Sequence, residues 1–194
     1  FSSQFSFFNV FSYITFRTGI AIFTSLIVVL LCGQKFIDYL KSSSHFNQPI
    51  RSDGPTSHIF KKAGTPTFGG ILIIFGVLIS TILWSDIKNI FVLICLFSIL
   101  SFSLIGFFDD YLKIKFKNSK GISAFTKIIF QLIFSIMIFY LISISINNEQ
   151  RFLLNIPYYK NLIFDIGYFY FPFAVIVIVG SSNAVNLTDG LDGL

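Results

Sequence analysis

Asn89-Ile90-Phe91-Val92-Leu93-Ile94-Cys95-Leu96-Phe97-Ser98-Ile99-Leu100-Ser101-Phe102-Ser103-Leu104-Ile105-Gly106-Phe107-Phe108 carries no charge, and Asp109-Asp110-Tyr111-Leu112-Lys113 follows it at once. About 20 mostly apolar residues is the length at which a helix crosses a bilayer. A soluble helix of that length keeps a polar face, and this stretch has none. Outward from it lie four more uncharged stretches, 18–34, 63–85, 128–148 and 166–184. Pro172 falls near the start of the last, where a first helical turn tolerates it because that N–H has no partner anyway. With their flanks these stretches predict spans over 18–38, 68–86, 89–108, 126–147 and 166–184. The expected fold class is therefore all-α, a polytopic membrane helical bundle with five transmembrane helices in this chain.

Composition agrees. Hydrophobic residues make up 54% and charged residues 12% of the 194, against about 25% charged in soluble domains. The net charge of +5 does not indicate nucleic acid, because the basic residues follow membrane topology. Lys35, Lys41, Arg51, Lys61 and Lys62 flank or fill the loop after the first span, and Lys113, Lys115, Lys117, Lys120 and Lys127 the loop after the third. Arg17, Lys88, Arg151 and Lys160 fall on the other side. An excess of Lys and Arg marks cytoplasmic loops, so both basic loops face the cytoplasm and the N-terminus faces out. The 27 phenylalanines read as codon usage of an AT-rich genome. Cys32 and Cys95 stand alone in apolar runs, as small hydrophobes without a disulfide framework. His45 and His58 form no zinc-binding pair. The first residues do not have the pattern of a signal peptide, and both ends read as cut.

Three segments are chemically conspicuous, and all three fall on the cytoplasmic side. The first contains Asp53-Gly54-Pro55-Thr56-Ser57-His58, then Lys61-Lys62-Ala63-Gly64-Thr65-Pro66-Thr67-Phe68-Gly69-Gly70. Its turn residues lead into a helix start, where free backbone N–H groups favour anions, and Lys62 adds charge for a phosphate; an ordinary capped loop explains the spacing equally well. The second is the Asp109-Asp110 pair. Adjacent carboxylates repel and need a cation, a shared proton or open water; magnesium often bridges such carboxylates to substrate phosphates, although a polar helix end meeting water is the simpler alternative. The third is Asn183-Ala184-Val185-Asn186-Leu187-Thr188-Asp189-Gly190-Leu191-Asp192-Gly193. Acids and amides between glycines suit close approach of the backbone to a ligand; a turn-rich linker is the alternative. Acids with lysines at a membrane interface suit a diphosphate substrate and a lipid co-substrate, because phosphoryl transfer relies on positioning and charge neutralisation.

These segments, in this order, resemble the phospho-N-acetylmuramoyl-pentapeptide transferase (MraY) family. The resemblance also takes in Phe8-Asn9-Val10-Phe11-Ser12-Tyr13-Ile14-Thr15-Phe16-Arg17, Gly106, Lys120-Gly121 and the terminal Leu194, and it covers essentially the whole chain. It implies transfer of phospho-MurNAc-pentapeptide from its UDP carrier to undecaprenyl phosphate, giving lipid I and UMP, in the inner membrane with the active site on the cytoplasmic side. It implies ten spans, so residues 1–194 are read as the N-terminal half of one integral-membrane transferase domain. Its implied cofactor is Mg2+. UDP-MurNAc-pentapeptide, undecaprenyl phosphate and the lipid bilayer are its partners, and a homodimer is compatible with it.

Residue by residue, the resemblance makes Asp109 the group that deprotonates the lipid phosphate or, in a two-step scheme, a nucleophile, and Asp110 its essential partner. Lys62, Thr67, Lys113 and Lys127 match positions that line the cleft and hold phosphates or nucleotide. Asp189 and Asp192 match the nucleotide-side loop, and Asn186 matches a metal ligand of related eukaryotic transferases. Phe68 stands where the family commonly has Met. The family's third essential Asp and its histidine-rich loop have no counterpart in these residues, so the chain alone is expected not to turn over. Two alternatives are a polyprenyl-phosphate GlcNAc-1-phosphate transferase of the same superfamily, which would share the Asp pair, and a membrane transporter. A transporter would place polar residues along a path through the spans.

Overall fold

The computed structural model describes residues 6–42, 66–118, 120–147, 150–159 and 161–190. They fall into two compact units, 1–122 and 123–194.

In the first unit a 3-10 helix, Ser6–Ser12, leads into α1, Ile14–Ser42. Then come α2, Gly69–Trp84, and α3, Ile90–Phe116. α1 and α2 run antiparallel and pack through small residues. A Cβ on Gly76 would stand 3.2 Å from Val29 Cγ2 and 3.3 Å from the Ser25 carbonyl oxygen, and one on Gly33 3.5 Å from Leu72 Cδ2. Close approach at small residues is how membrane helices associate, since lipid leaves little hydrophobic drive between them. At the far end of α2, Trp84 Nε1 donates to Thr24 Oγ1 at 2.9 Å, and Phe11 stacks on the Trp84 indole with centroids 6.0 Å apart. Asn89 caps α3 by accepting from the Phe91 amide at 2.9 Å, which satisfies one orphan donor of the first turn.

The second unit holds α4, Ala124–Ser145, then a hairpin of β1, Leu153–Asn155, and β2, Ile163–Asp165. Leu154 pairs with Phe164 in its antiparallel ladder. A 3-10 turn, Gly167–Phe169, leads into α5, Tyr170–Gly190, with Pro172 in its first turn as expected. Phe139 of α4 meets Phe171 of α5 edge-on at 5.0 Å.

Four helices among the described residues have the length and apolarity to cross a membrane. Their surfaces agree: Leu30 is 68% and Ile176 69% exposed, and apolar exposure repeated along whole helices requires lipid as the solvent. The chain is a polytopic helical membrane protein. Four features add to or differ from the expectation. The stretch expected as a span over 68–86 forms a helix of 16 residues, about 24 Å at 1.5 Å per residue against a hydrocarbon core of about 30 Å. The helix stops because Phe68 is left-handed and Ser85 extended. α3 does not end near 108 but continues through Asp109-Asp110 to Phe116, where Lys113 and Lys115 complement its C-terminal dipole. The segment between α4 and α5 adds a small two-stranded hairpin to the helical bundle. Lastly, Cys32 and Cys95 are exposed, on apolar helix surfaces rather than in a core.

Candidate functional site at the end of α3

Asp109, Asp110 and Lys113 stand at positions i, i+1 and i+4 of α3, so the lysine reaches both carboxylates within one turn. Lys113 Nζ lies 2.6 Å from Asp109 Oδ2 and 3.2 Å from Asp110 Oδ1. The cation that the adjacent acids demand is therefore supplied from their own helix. Lys117, with φ 49, ends the helix in a left-handed cap, and the Asn118 amide donates to the Lys113 carbonyl at 3.1 Å. The chain then turns back. The Ile122 amide donates to Asp109 Oδ1 at 2.8 Å, and Gly121, with φ +60, lies against the same carboxylate so closely that a Cβ there would overlap Asp109 Oδ1. Ser123 immediately caps α4 by accepting from the Thr126 amide. Asp109 is thus held at both oxygens, whereas Asp110 is 35% exposed in its side chain.

Thr67 belongs to the same unit. It is buried, and its Oγ1 has no partner among the described residues. Phe68 occupies the cap position of α2 with φ 72 and gives no side-chain cap, so no side chain of that residue covers the first-turn amides. The Phe68 ring packs on Phe107 at 5.2 Å, which ties the start of α2 to the turn of α3 that precedes the acids.

In the second unit, Lys127 lies half-buried in the first turn of α4. Asn186 is exposed near the end of α5. The motif expected as a loop is helical through Gly190, so Asp189 falls in the last turn of α5. Lys62 and Asp192 lie outside the described residues. Two contacts escaped sequence reasoning. The first is the Gly121-Ile122 turn, whose signal was a Gly two residues before a Ser N-cap. The second is a reciprocal amide pair: Asn183 Nδ2 donates to Gln131 Oε1 at 2.8 Å, and Gln131 Nε2 donates to Asn183 Oδ1 at 3.5 Å as well as to Ser182 Oγ at 3.2 Å. Its signal was a lone glutamine inside an apolar span.

Among the described residues no three His, Cys, Asp or Glu side chains gather as a metal site. The donor chemistry still fits magnesium in kind. Asp110 Oδ1 has only the Lys113 contact and Oδ2 has no described partner, and hard divalent cations take carboxylate oxygen.

The family model described as glycosyl transferase family 4 matches residues 91–194, from the second residue of α3 through α5. A phospho-N-acetylmuramoyl-pentapeptide-transferase of Pelagibacter ubique is 51% identical over 191 residues, which is 98% of this chain and 53% of that protein. One of Rickettsia prowazekii is 50% identical over 186 residues, 96% of this chain and 51% of that protein. The chain spans about half the length of the curated relatives it matches.

Proposed function

This chain belongs to glycosyl transferase family 4, and we propose that the protein carrying it transfers phospho-MurNAc-pentapeptide from UDP to undecaprenyl phosphate. The observation that carries the reading is the Asp109–Asp110–Lys113 cluster at the end of a membrane-spanning helix, where a lipid phosphate and a water-soluble nucleotide can meet. The relatives bearing the transferase name add support through their identity across this whole region.

The reaction makes one P–O bond and breaks another. An oxygen of the lipid phosphate attacks the phosphorus next to MurNAc, the bond to the bridging oxygen breaks, and UMP leaves with that oxygen. Asp109 takes the proton of the lipid phosphate. Its two anchored oxygens fix its direction, which is what a general base needs. Lys113 offsets the repulsion between the acids and adds positive charge beside the transferred phosphoryl group. Thr67, at the mouth of α2, offers an unpaired hydroxyl to a phosphate oxygen. Lys62, Lys127, Asp189 and Asp192 hold the nucleotide side. Magnesium would supply charge neutralisation on the diphosphate, and Asp110, with a carboxylate oxygen free of described partners, has the chemistry to hold it. We assign the end of α3 to the cytoplasmic face from the lysines that follow it.

The test is reconstitution of the whole protein with UDP-MurNAc-pentapeptide, undecaprenyl phosphate and magnesium. Lipid I and UMP are expected in equal amounts, and chelator should stop the reaction. Turnover of UDP-GlcNAc instead would assign the sister activity. No turnover of either donor by folded protein would defeat the proposal.

A further inference from the structure

The buried amide pair between α4 and α5 has a place in this site. Gln131 is 1% exposed, inside a helix long and apolar enough to span a membrane. A buried primary amide is costly unless its donors and acceptor are matched. Here they are matched across the helices. Gln131 Oε1 accepts from Asn183 Nδ2 at 2.8 Å, and Gln131 Nε2 faces Ser182 Oγ at 3.2 Å and Asn183 Oδ1 at 3.5 Å. Asn183 Nδ2 also donates to the Val179 carbonyl at 2.9 Å, and Ser135 Oγ to the Gln131 carbonyl at 2.7 Å. Apolar contacts along α4 and α5 tolerate sliding, but a reciprocal amide pair has one matched register.

That register has a consequence one turn further on. α4 and α5 run antiparallel, with Gln131 hydrogen-bonded to Asn183 and, further along, Phe139 in ring contact with Phe171. Four residues before Gln131 is Lys127, on the same face of α4; three residues after Asn183 is Asn186, on the same face of α5. Both lie beyond the amide pair at the same end of the helix pair. We infer that Gln131 and Asn183 form a register lock that sets Lys127 against Asn186, making them positioning residues for the nucleotide side of the site. This rests on the proposed function insofar as Lys127 and Asn186 bind nucleotide; the register itself does not.

Two readouts separate those parts. In the cysteine-free whole protein, Lys127→Cys with Asn186→Cys is treated with a short bifunctional maleimide, with and without Gln131→Met, which keeps the volume and loses the amide. Separately, UDP binding is measured by calorimetry on Gln131→Met with Lys127 and Asn186 intact. Cross-linking and UDP affinity should each fall about three- to tenfold, the range of one interhelical polar bond in a membrane. The exchange Gln131→Asn with Asn183→Gln, which conserves the combined reach, should restore both. Unchanged cross-linking in folded Gln131→Met overturns the lock. Reduced cross-linking with unchanged UDP affinity upholds the lock and removes Lys127 and Asn186 from the nucleotide site. If Gln131→Met does not fold, Gln131→Asn alone, polar but one methylene short, is read the same way.

Discussion

The Ile122 amide holds Asp109 from outside its own helix, 13 residues along the chain and 2.8 Å from Oδ1. This bond exists because Gly121 lets the chain turn back against the carboxylate with φ +60 and no side chain in the way. Gly121→Ala should therefore injure the site twice. The left-handed backbone costs an L-residue about 1–2 kcal/mol, and the new Cβ pushes Asp109 off its anchor. A displacement of that kind far exceeds what a positioned base tolerates, so kcat should fall about 100-fold with little change in KM for the nucleotide. Gly121→Asn separates the two effects, because Asn accepts left-handed backbone yet still has a Cβ. Near-normal kcat in the Asn variant would mean that the contact with Asp109 is irrelevant.

Asp109→Asn keeps the size of the side chain and can still accept from Ile122, but it cannot take a proton. In the whole protein UMP release should drop by about 100- to 10,000-fold, the range of a lost general base, while UDP binding measured by calorimetry stays within a few-fold. Ordinary UMP release in the folded variant would take Asp109 out of the chemistry.

The sequence was most legible where charge and apolarity change abruptly. The uncharged run from Asn89, the acids that end it and the lysines after them placed α3 and its cluster closely, because burying charge in lipid is expensive enough to leave few alternatives. Helix ends were less legible. α3 continues past Asp109-Asp110 to Phe116, since a pair of acids marks where polarity starts, not where backbone hydrogen bonding stops. α5 likewise carries Asn186 on a helix where its glycine-rich surroundings suggested a loop, because a glycine weakens a helix by only about 1 kcal/mol and packing can override it. The partners of Asp109 and Gln131 were not legible. Ile122 and Asn183 lie 13 and 52 residues away along the chain, and no local pattern announces such a pairing.

Packing of α1 on α2 gives a prediction about stability rather than catalysis. Gly76 faces the Ser25 carbonyl and Val29 at van der Waals limit, and a backbone oxygen cannot rotate away. Gly76→Leu should separate the two helices and destabilise the protein by about 1–3 kcal/mol, read as a lower melting temperature in detergent. Gly19, on the same α1, has open space around it, so Gly19→Leu should melt no lower than the parent. Equal melting of the Gly76 and Gly19 variants would show that the close approach at Gly76 contributes nothing.

Membrane orientation decides whether the cluster can work as proposed, because a UDP-linked donor is met on the cytoplasmic side. Asn118 sits in the turn after α3, two residues past its last helical residue, and Tyr158 lies at the tip of the hairpin between α4 and α5. A crossing by α4, which its length and apolarity allow, puts the chain at 118 and at 158 on opposite faces. In intact cells, a single cysteine at 118 should be shielded from a membrane-impermeant maleimide, and one at 158 should label readily. The reverse pattern would put Asp109, Asp110 and Lys113 outside, away from any nucleotide-linked sugar, and the lysines that follow α3 would then need an explanation other than topology.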